Sequence, residues 1–550
     1  MRSNLEGPAG AESSTAPAAG GERPQNRLLA ALRWLLQGRR VLYVFAVFWA
    51  LEIFLVQDAT FRPGMPQDWR GPSLFWAQLS RFLINTFFAV AVVSLIPRRL
   101  LFLPFLLWQL WAATAIGYHA YFDRPLGIQT AKHSFTEGAA VAGMGFDLVG
   151  WPTLILFTIA LVAKCAFAIP VKRRVGFAWK RGLLFTLAWV GMAGIVNMGH
   201  PLHKMRRTYN FERTGMAYGY FFTWIAEEHF LGGGLIERAV ERAPPLKSNK
   251  LANETPLPVS DRVVIIQVES LEDSILDVQV EGEHVMPFLA GLRETSMHYK
   301  VAPFHDHGSA DADFSMLTGL APSRDLITYR LLDYPYGETL PKVFERAGYH
   351  SQFLHGLFGD FFNRRHVYEN HMGFSVLLFE EELNRDYGLV SARWGIKDKD
   401  VFRVAADLLE KEEGKVFQFI ITLTSHGPFH FLTPDEQEIF KNPQDVRERY
   451  INHMRYVDRV LEAYYERLPE DTLLVIYGDH ESATIELPRD QNGRKIEFVP
   501  YFIHHKGHTL RASDPVLARS GELHQLDMVT FIRNYALRLA ETRPEHARVH

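Results

Sequence analysis

Two short stretches decide the fold of this chain: VVIIQVES at residues 263–270 and TLLVIYGDH at residues 472–480. Each begins with an apolar run that has the length and composition of a buried strand, and each run ends in polar residues. One strand delivers Glu269, and the other delivers Asp479 and His480. Two carboxylates and an imidazole are suitable ligands for one hard or borderline divalent metal. The two stretches together predict a metal centre at one edge of a sheet.

A loop of small residues lies between these strands in the chain and carries a hydroxyl. It reads HGSADADF at residues 307–314, with the hydroxyl at Ser309. A serine hydroxyl is a poor nucleophile at neutral pH, and metal coordination activates it by lowering its pKa. The pattern predicts a metal-activated nucleophile, although an ordinary turn serine would fit the loop by itself.

Length, charge and cysteine content narrow the class of protein. At 550 residues the chain is too long for one ordinary domain. A net charge of -3 with a pI near 6.8 gives no sign of nucleic-acid binding. The single cysteine, Cys165, excludes an intramolecular disulfide framework and a cysteine-based metal site.

The first part of the chain contains five apolar stretches that are long enough to cross a bilayer. The alternative is that some of them are buried core helices. The charged residues within them, Glu52, Arg81 and Lys164, are interpreted as lying near span ends and snorkelling to the interface. The five predicted spans are Val41–Gln57, Leu79–Pro97, Leu100–Tyr121, Gly150–Ile169 and Gly182–Met198.

The basic residues of the connecting loops predict the orientation of these spans. Lys and Arg are concentrated before the first span, between the second and third, and between the fourth and fifth. By the positive-inside rule the N-terminus is cytoplasmic, and five crossings place everything after residue 200 outside the cytoplasm. We expect a disordered segment over 1–40, a five-helix transmembrane domain over 41–198, a juxtamembrane linker over 199–262 and a catalytic domain over 263–550. Within the linker, the aromatic stretch 216–224 is expected at the membrane surface.

The second part of the chain alternates strands with helices, which predicts an α/β domain with a mainly parallel sheet and helices on both faces. Ligands bind beyond the carboxyl ends of such strands. Polar residues follow four predicted strands at these ends: Glu269, His355, Ser425-His426 and Asp479-His480. The predicted strands are Val263–Val268, Tyr349–Leu354, Val416–Leu423 and Thr472–Tyr477, and the predicted helices are Met286–Glu294, Thr339–Ala347, Asp400–Glu413 and Arg447–Leu468.

These residues resemble the alkaline phosphatase/sulfatase superfamily, and within it the lipoteichoic acid synthase and phosphoglycerol transferase branch. The resemblance covers about residues 40 to 510. Its motifs are VES at 268–270, GSADADF at 308–314, HG at 355–356 with NR at 363–364, WGIKD at 394–398, TSH at 424–426 and YGDH at 477–480. The resemblance implies a sulfatase-like catalytic domain outside the cytoplasm, behind five N-terminal spans.

The resemblance also implies a role for each matching residue. Glu269, Asp479 and His480 match metal ligands, and Ser309 matches a nucleophile that also touches the metal. The metal would be manganese, with magnesium or zinc as alternatives that the ligand types also suit. The remaining matches concern the substrate and the surrounding loops: His355, Arg364 and His426 hold the phosphate and head group, His426 is also a candidate acid or base, and Trp394 and Asp398 are mainly structural. His305 and His307 flank the nucleophile and are weaker candidates for the site.

Four positions depart from the pattern of this branch. Serine at 309 replaces the usual threonine, which is chemically conservative, and Asp313 stands where glutamate is usual. Leu357 stands where an acidic residue often binds the glycerol hydroxyl, and Phe362 stands where tryptophan is usual. The last two changes leave the phosphate chemistry intact but put the head group in doubt.

The sequence therefore predicts a bacterial cytoplasmic-membrane transferase. It would move phosphoglycerol from phosphatidylglycerol, or another phospholipid donor, through a covalent phospho-Ser309 intermediate to an extracytoplasmic glycan or polymer. A phosphoethanolamine transferase is the nearest alternative, although such enzymes typically have disulfides in the soluble domain. A phosphodiesterase that uses water, and a non-catalytic sensor or scaffold, are further alternatives. A sulfatase proper is disfavoured because the loop at 309–313 lacks the Pro and Arg of the formylglycine motif.

Overall fold

The structure is a computed structural model in which most of the chain is described. The expected disordered N-terminus and His305 lie outside the described residues. The described residues are 40–61, 72–122, 125–134, 150–168, 179–199, 211–231, 239–240, 247–304, 307–323, 326–331, 334–482 and 497–542.

Long apolar helices occupy all five stretches that the sequence predicts to cross a membrane. Three of them are long and apolar enough to do so, namely Leu42–Phe61, Leu74–Leu95 and Trp179–Gly199. The predicted count of five is not confirmed, because the helices Phe102–Phe122 and Trp151–Ala168 are not among these three. The helices are α1 Arg40–Phe61, α2 Pro72–Leu95, α3 Phe102–Phe122, α4 Ile128–Ser134, α5 Trp151–Ala168 and α6 Trp179–Gly199.

The charged residues of the apolar helices are paired with one another. Lys164 of α5 and Glu52 of α1 lie 2.5 Å apart, and the fully buried Arg81 of α2 lies 2.7 Å from Asp58. Paired charges inside a helical bundle avoid the cost of an isolated charge in an apolar medium. The interpretation that all three snorkel separately is therefore replaced by interhelical ion pairs.

The aromatic stretch 216–224 packs against the apolar helices. It belongs to α7, Phe211–Tyr218, and α8, Tyr220–Leu231. The ring centroid of Tyr220 lies 4.7 Å from that of Phe61, and that of Trp224 lies 4.3 Å from that of Trp111. These contacts place the stretch beside α1 and α3, and its position at a membrane surface stays a prediction.

An eight-stranded sheet forms the centre of the second part of the chain, in the order β10-β4-β9-β8-β1-β7-β5-β6. β1 lies between β7 and β8 and is parallel to both, whereas β9 is antiparallel to its neighbours β4 and β8. The strands are β1 Arg262–Val268, β2 Gln279–Val280, β3 Glu283–His284, β4 Met297–Ala302, β5 Tyr349–His355, β6 Val376–Leu378, β7 Lys415–Ile421, β8 Leu473–Gly478, β9 Val499–His505 and β10 Leu523–His524, with β2 and β3 pairing separately.

Helices cover both faces of this sheet, as the sequence predicts. Side chains of β1 alternate between two buried apolar clusters, Val263 and Ile265 in one and Val264 and Ile266 in the other. Such alternation follows from the two-residue period of a strand. The helices are α9 Pro287–Leu292, α10 Ser309–Thr318, α11 Leu340–Arg346, α12 Arg364–Val367, α13 Glu380–Tyr387, α14 Asp398–Lys411, α15 Val446–Arg467, α16 Pro515–Ser520 and α17 Gln525–Glu541.

The predicted strands and helices correspond to β1, β5, β7, β8, α9, α11, α14 and α15, with ends that differ by at most two residues. Two features differ from the sequence prediction. The predicted loop around Ser309 is a loop only up to Gly308, because Ser309 begins α10. Four strands of the sheet, β4, β6, β9 and β10, were not predicted, and β9 makes the sheet mixed at one side.

Candidate active site

The carboxyl ends of β1 and β8 bring the predicted metal ligands together. Val268 and Gly478 are paired across the two parallel strands, so Glu269 and Asp479, which follow them, emerge side by side. Parallel neighbours expose their carboxyl ends at the same edge of a sheet, and ligand sites form there. The register of one strand pair therefore positions both carboxylates.

Glu269, Asp479 and His480 form a compact cluster. The ligand atoms of all three lie within 4.8 Å of one another. His480 Nε2 lies 3.2 Å from Glu269 Oε1 and 3.7 Å from Asp479 Oδ2. Both carboxylates are buried. The cluster has the composition and spacing of a three-ligand site for a divalent cation.

The hydrogen bonds around the cluster leave the expected ligand atoms available. Asp479 Oδ1 accepts from the backbone N–H groups of Ser270 at 2.8 Å and His480 at 2.7 Å. The buried Oδ2 has no hydrogen-bond partner within the described part of the chain, which leaves out 483–496. His480 Nδ1 lies 2.7 Å from the carbonyl oxygen of Glu481, which favours the proton on Nδ1 and a lone pair on Nε2. A buried orphan carboxylate oxygen beside an imidazole lone pair fits a bound cation.

Ser309 lies against this cluster. Its Oγ donates to Glu269 Oε2 at 2.6 Å and lies 3.4 Å from His480 Nε2. The carbonyl oxygen of Ser309 accepts from Gln267 Nε2 at 3.1 Å, and Gln267 Oε1 in turn accepts from the Tyr477 hydroxyl at 2.6 Å. Since Gln267 and Tyr477 belong to β1 and β8, the central strands hold the serine backbone as well as the carboxylates.

The start of α10 adds a favourable environment for an anion at Ser309. Gly308 caps the helix with a φ of 73°, a left-handed conformation that side chains disfavour, and the ten-residue helix begins at Ser309 itself. The N-terminus of a helix carries unpaired N–H groups and partial positive charge. A phosphoryl group attached to Ser309 would lie at that end of the helix.

The charges in the cluster are strongly interdependent. Burial opposes ionisation of Glu269, but the charge and hydrogen bond of His480 hold its pKa well below the ordinary value. Burial, with the nearby Glu269 charge, raises the pKa of Asp479. Burial opposes protonation of His480, yet the two carboxylates raise its pKa well above the ordinary value. A proton on His480 thus supplies the positive charge that the acidic pair requires, and a bound cation would replace it.

His355 and His426 are buried neutral imidazoles near the cluster. Burial, followed by the Arg364 charge, lowers the pKa of His355 to about 3, and its Nδ1 lies 3.0 Å from the carbonyl oxygen of Ile421. Burial also lowers the pKa of His426, against the opposing effect of Glu269, and its Nδ1 lies 2.7 Å from the Gly427 carbonyl oxygen. In both rings the carbonyl favours the proton on Nδ1, which leaves Nε2 with the lone pair.

Arg364 forms a buried ion pair that the sequence analysis did not anticipate. Its Nε and Nη2 donate to Asp313 Oδ2 at 2.9 Å and Oδ1 at 3.4 Å, and the Tyr368 hydroxyl also donates to Asp313. Asp313 lies four residues after Ser309 on α10, one turn further along the same helix. A helical interpretation of 309–318 would have placed Asp313 on the same helix face as Ser309, because residues four apart share a face.

The two predicted structural residues support the loop that carries His426. The Asp398 carboxylate accepts from the backbone N–H groups of Leu423 at 2.7 Å and Thr424 at 2.9 Å, directly before His426. The ring of Trp394 meets that of His426 edge-on, with centroids 4.6 Å apart. These contacts agree with a supporting rather than a ligand-binding role.

Two positions that depart from the pattern of the branch, Phe362 and Leu357, lie beside Arg364 and in the apolar core. The ring of Phe362 has its centroid 5.3 Å from the Arg364 guanidinium carbon, so phenylalanine still supplies an aromatic face there. Leu357 is buried in the apolar cluster on one face of the sheet. The backbone N–H of His307 donates to Asp311 at 2.8 Å, and its predicted part in the site stays a prediction.

Comparison with known proteins gives relatives that match part of the chain. A lipoteichoic acid synthase of Staphylococcus saprophyticus is 31% identical over 232 residues, which cover 40% of this chain and 35% of that protein. The lipoteichoic acid synthase-like YvgJ of Bacillus subtilis is 24% identical over 284 residues, covering 48% and 45% of the two chains. The chain thus spans between about a third and a half of the length of these relatives.

A solved structure resembles the chain over both of its parts. It is the integral membrane lipooligosaccharide phosphoethanolamine transferase A of Neisseria meningitidis, with a TM-score of 0.52 and 16% identity. The similarity covers 84% of this chain and 88% of that one. At this identity the similarity concerns the fold, which combines apolar helices with an alkaline phosphatase-like domain.

The family model described as Sulfatase matches residues 261–535, half of the chain. The matched region begins at β1 and ends within α17, and so contains the sheet, Ser309 and all three residues of the metal-ligand cluster. Members of this superfamily are metal-dependent, in agreement with the orphan carboxylate oxygen of Asp479. This chain belongs to the sulfatase family.

Proposed function

We propose that this chain is a membrane-anchored, metal-dependent phosphotransferase in which Ser309 is the nucleophile. One observation carries the proposal: Ser309 Oγ lies 2.6 Å from Glu269 Oε2 and 3.4 Å from His480 Nε2, inside the cluster that fits a divalent cation. An ordinary turn serine has no reason to lie at a buried cluster of two carboxylates and an imidazole. We propose Glu269, Asp479, His480 and Ser309 as the metal ligands, and manganese as the metal.

The first half-reaction transfers the phosphoryl group of a phospholipid to the enzyme. Ser309 Oγ attacks the phosphorus, the Ser309 O–P bond forms and the bond from phosphorus to the diacylglycerol oxygen breaks. The proton that leaves the serine hydroxyl is balanced by the one that the departing diacylglycerol gains. A bound divalent cation supplies a lower pKa for the serine hydroxyl and offsets charge on the phosphoryl oxygens.

The residues around Ser309 have separate tasks in this step. The N–H groups at the start of α10 and the Arg364 guanidinium stabilise the negative oxygens of the transferred group. Asp313 positions Arg364 through their buried ion pair. His355 is neutral because burial lowers its pKa to about 3, so it contributes a hydrogen bond and not a charge.

The second half-reaction passes the group to an acceptor hydroxyl. The acceptor oxygen forms a bond to phosphorus while the Ser309 O–P bond breaks and Ser309 regains a proton. His426 is suited to remove the acceptor proton, because burial lowers its pKa and its Nε2 carries the lone pair. Its neutral ring makes it a better base than acid at neutral pH.

The proposed donor is phosphatidylglycerol, and the proposed acceptor is an extracytoplasmic glycan or growing polymer. Two relatives carry the name of lipoteichoic acid synthase or its like, which supports glycerol phosphate as the group transferred. The apolar helices would hold the site near its lipid donor. We propose a cytoplasmic N-terminus and an extracytoplasmic catalytic domain, following the distribution of basic residues.

Phosphoethanolamine is the second candidate for the transferred group. Leu357 is an apolar, buried residue where an acid often binds the glycerol hydroxyl, so that contact is missing. A hydrolase that uses water in the second half-reaction would share the first half entirely. The two transferases differ in the mass of the adduct on the enzyme, and the hydrolase differs from both because water, and not an acceptor hydroxyl, releases the adduct.

The test uses purified full-length protein in detergent, with manganese and either phosphatidylglycerol or phosphatidylethanolamine as donor. Diacylglycerol release is followed together with the mass of the peptide that contains Ser309. We expect diacylglycerol and a glycerol phosphate adduct from phosphatidylglycerol, both absent in Ser309→Ala. The matched control is Ser315→Ala, which removes another buried serine hydroxyl of α10 and leaves the adduct intact.

Each other outcome selects a different conclusion. An ethanolamine phosphate adduct would mean that the transferred head group is ethanolamine and not glycerol. Free glycerol phosphate without a transferred product would indicate a hydrolase. An adduct that persists in Ser309→Ala would overturn the assignment of Ser309 as the nucleophile. No diacylglycerol from either lipid would overturn the lipid-donor proposal.

A further inference from the structure

We propose a second metal site at the opposite end of β8, formed by Asp471, His505 and His508 and suited to a zinc-type divalent ion. The three residues each offer one ligand atom, and these atoms lie within 4.8 Å of one another. Two imidazoles and one carboxylate form a donor set typical of zinc in proteins. The site is separate from the cluster at Glu269, Asp479 and His480 and does not depend on the proposed function.

The first observation is the contact between the residues. His508 Nε2 lies 3.3 Å from Asp471 Oδ1, and the ring centroids of His505 and His508 are 4.8 Å apart. The corresponding distance in the first cluster, from His480 Nε2 to Glu269 Oε1, is 3.2 Å. The second cluster is therefore as tightly assembled as the one that carries the proposed chemistry.

The second observation is independent of this spacing and concerns His505. Its side chain is almost completely buried at the end of β9, yet among the residues that the structure describes neither of its ring nitrogens finds a partner with good hydrogen-bond geometry. Burying an imidazole without a partner for either nitrogen costs free energy of folding, because each nitrogen loses its hydrogen bonds to water and gains none in return. A metal ion bound to His505 would satisfy one nitrogen and account for the burial of the ring.

The backbone holds the three residues on rigid elements. Asp471 lies just before β8 and its N–H donates to the carbonyl oxygen of Lys506 at 3.3 Å, while the Lys506 N–H donates to that of Thr472 at 2.9 Å. His505 ends β9, and the His508 N–H donates to its carbonyl oxygen at 2.9 Å. The site needs little rearrangement to bind an ion, because the antiparallel ladder and this turn already fix its geometry.

The charges around the site favour a cation. The carboxylate of Glu470 lies over Gly507, since a Cβ at Gly507 would be 2.9 Å from Glu470 Oε2. The nearby ammonium group of Lys506 donates to the carbonyl oxygens of Tyr465, at 3.0 Å, and Leu468 at the end of α15. Lys506 Nζ also lies 3.9 Å from Glu470 Oε1, so the lysine charge is shared between that carboxylate and the helix terminus. The Asp471 carboxylate, 3.3 Å from His508 Nε2, is the one that contacts the histidines.

The site is open to solvent, so a water molecule can complete the coordination of the ion. The side chains of Asp471 and His508 are 74% and 61% exposed, so water can fill the fourth position of a tetrahedral zinc. The length of β8 separates the two clusters by roughly 25 Å, given about 3.3 Å per residue in a strand. Zinc here would clamp the turn after β9 to the segment just before β8 and take no part in phosphoryl transfer.

The test measures zinc bound to tag-free, full-length protein in detergent. The protein is stripped with a chelator, equilibrated by dialysis against buffered low-micromolar free zinc, and analysed for metal content per chain. We expect His508→Ala and Asp471→Asn each to bind one zinc ion fewer than the wild type. Both replaced side chains are exposed, so the variants keep the fold. His366→Ala, which removes an exposed histidine elsewhere, is the matched control and keeps the wild-type zinc content.

A second readout follows the ion itself. In an Asp479→Asn background, which removes one ligand of the first cluster, zinc should raise the melting temperature through binding to the folded state. The zinc concentration needed for this rise in melting temperature should increase by at least about 10–100-fold when His508 is replaced by alanine. Equal zinc content and equal zinc dependence in the wild type and His508→Ala would overturn the site. Loss of activity in Ser309→Ala has no bearing on this result, so the two proposals fail separately.

Discussion

The two ends of β8 carry similar donor groups in opposite environments. At the carboxyl end, Glu269 and Asp479 are almost completely buried beside His480. At the amino end, Asp471 and His508 are mostly exposed and only His505 is buried. The closest His–carboxylate distances are 3.2 Å and 3.3 Å, so contact geometry does not distinguish the two clusters.

Burial makes the difference between them. Two carboxylates that are removed from water cannot both stay ionised without a compensating positive charge, which raises the pKa of Asp479 and of His480. The carboxylate of Asp471 is 74% exposed and keeps most of its hydration. We infer that the buried cluster depends on its metal for its chemistry, whereas the exposed one uses an ion to hold a turn.

The largest expected effect is on catalysis at the buried end. Ser309→Ala and Asp479→Asn should each lower diacylglycerol release by at least about 1,000-fold, as the loss of a nucleophile or its activating group does in other enzymes. The two variants separate chemistry from metal binding, because Asp479→Asn should lose the metal of this cluster and Ser309→Ala should retain it more weakly. Wild-type metal content in Asp479→Asn would remove Asp479 from the ligand set.

The next effect is on stability near the same end. Asp313→Ala leaves the buried Arg364 guanidinium without its carboxylate, and breaking such a pair costs about 3–5 kcal/mol. The free energy of unfolding is measured by urea titration of the full-length protein in detergent, with tryptophan fluorescence as the signal. Arg385→Ala is the control, because its pair with Asp386 is exposed and its loss should give no resolvable change. An unchanged midpoint in Asp313→Ala would show that water replaces the carboxylate.

Acid should lower the free energy of unfolding through the buried His355. Its folded-state pKa of about 3 is below the ordinary 6.5, so its contribution to stability is complete above pH 6.5 and is lost as pH falls toward 3. Between pH 7.5 and 5 this single group should cost about 2 kcal/mol, at about 1.4 kcal/mol per pH unit below 6.5.

The measurement compares melting temperatures at the two pH values for the wild type and His355→Gln. Glutamine can donate to the Ile421 carbonyl but does not titrate, so the fall between pH 7.5 and 5 should be smaller in the variant. His366→Gln, at an exposed histidine, should fall as the wild type does. Equal falls in His355→Gln and the wild type would assign the acid sensitivity to other groups.

The smallest expected effect concerns activity at the exposed end. His508→Ala should leave the rate of diacylglycerol release within about twofold of the wild type, because distant sites without shared partners contribute independently. The assay is run with manganese and with zinc removed and restored. A large loss of activity would mean that the two ends of β8 are coupled, which would contradict the division of roles drawn above.

Much of the fold and the candidate site follows from local pattern. The apolar runs at 263–268 and 472–477 predict β1 and β8 because near-continuous apolar segments of this length suit strands buried on both faces. Their paired ends bring Glu269 and Asp479 together, as expected. The five apolar stretches predict five helices, but crossing a membrane also depends on length and hydropathy, which three of them satisfy.

Other features escaped the sequence for physical reasons. β4 alternates buried and partly exposed residues, and β9 contains Pro500 and ends in two histidines, so neither has the continuous apolar run of a buried parallel strand. The helix that begins at Ser309 was interpreted as a loop because Gly308, Ser309 and Asp311 are of types that are frequent in turns. With β9 unpredicted, His505 and His508 had no assigned place next to Asp471.

The sequence by itself determined which donor groups follow which strands. Glu269, His355, His426, Asp479 and His480 each lie at the end of an apolar run, and the alternation of strands and helices sends parallel strand ends to one edge. That inference needs only the period of the chain and the direction of the strands. It is local information, carried by neighbouring residues.

Only the tertiary structure decided which distant side chains meet and which atoms remain unpaired. The pairing of Asp313 with Arg364 joins two helices across 51 residues, and Asp471 meets His508 because β8 and β9 run antiparallel. The orphan oxygen of Asp479 and the two orphan nitrogens of His505 likewise depend on everything packed around them. Burial and hydrogen-bond satisfaction are properties of the whole packed domain, and no local pattern of residues specifies them.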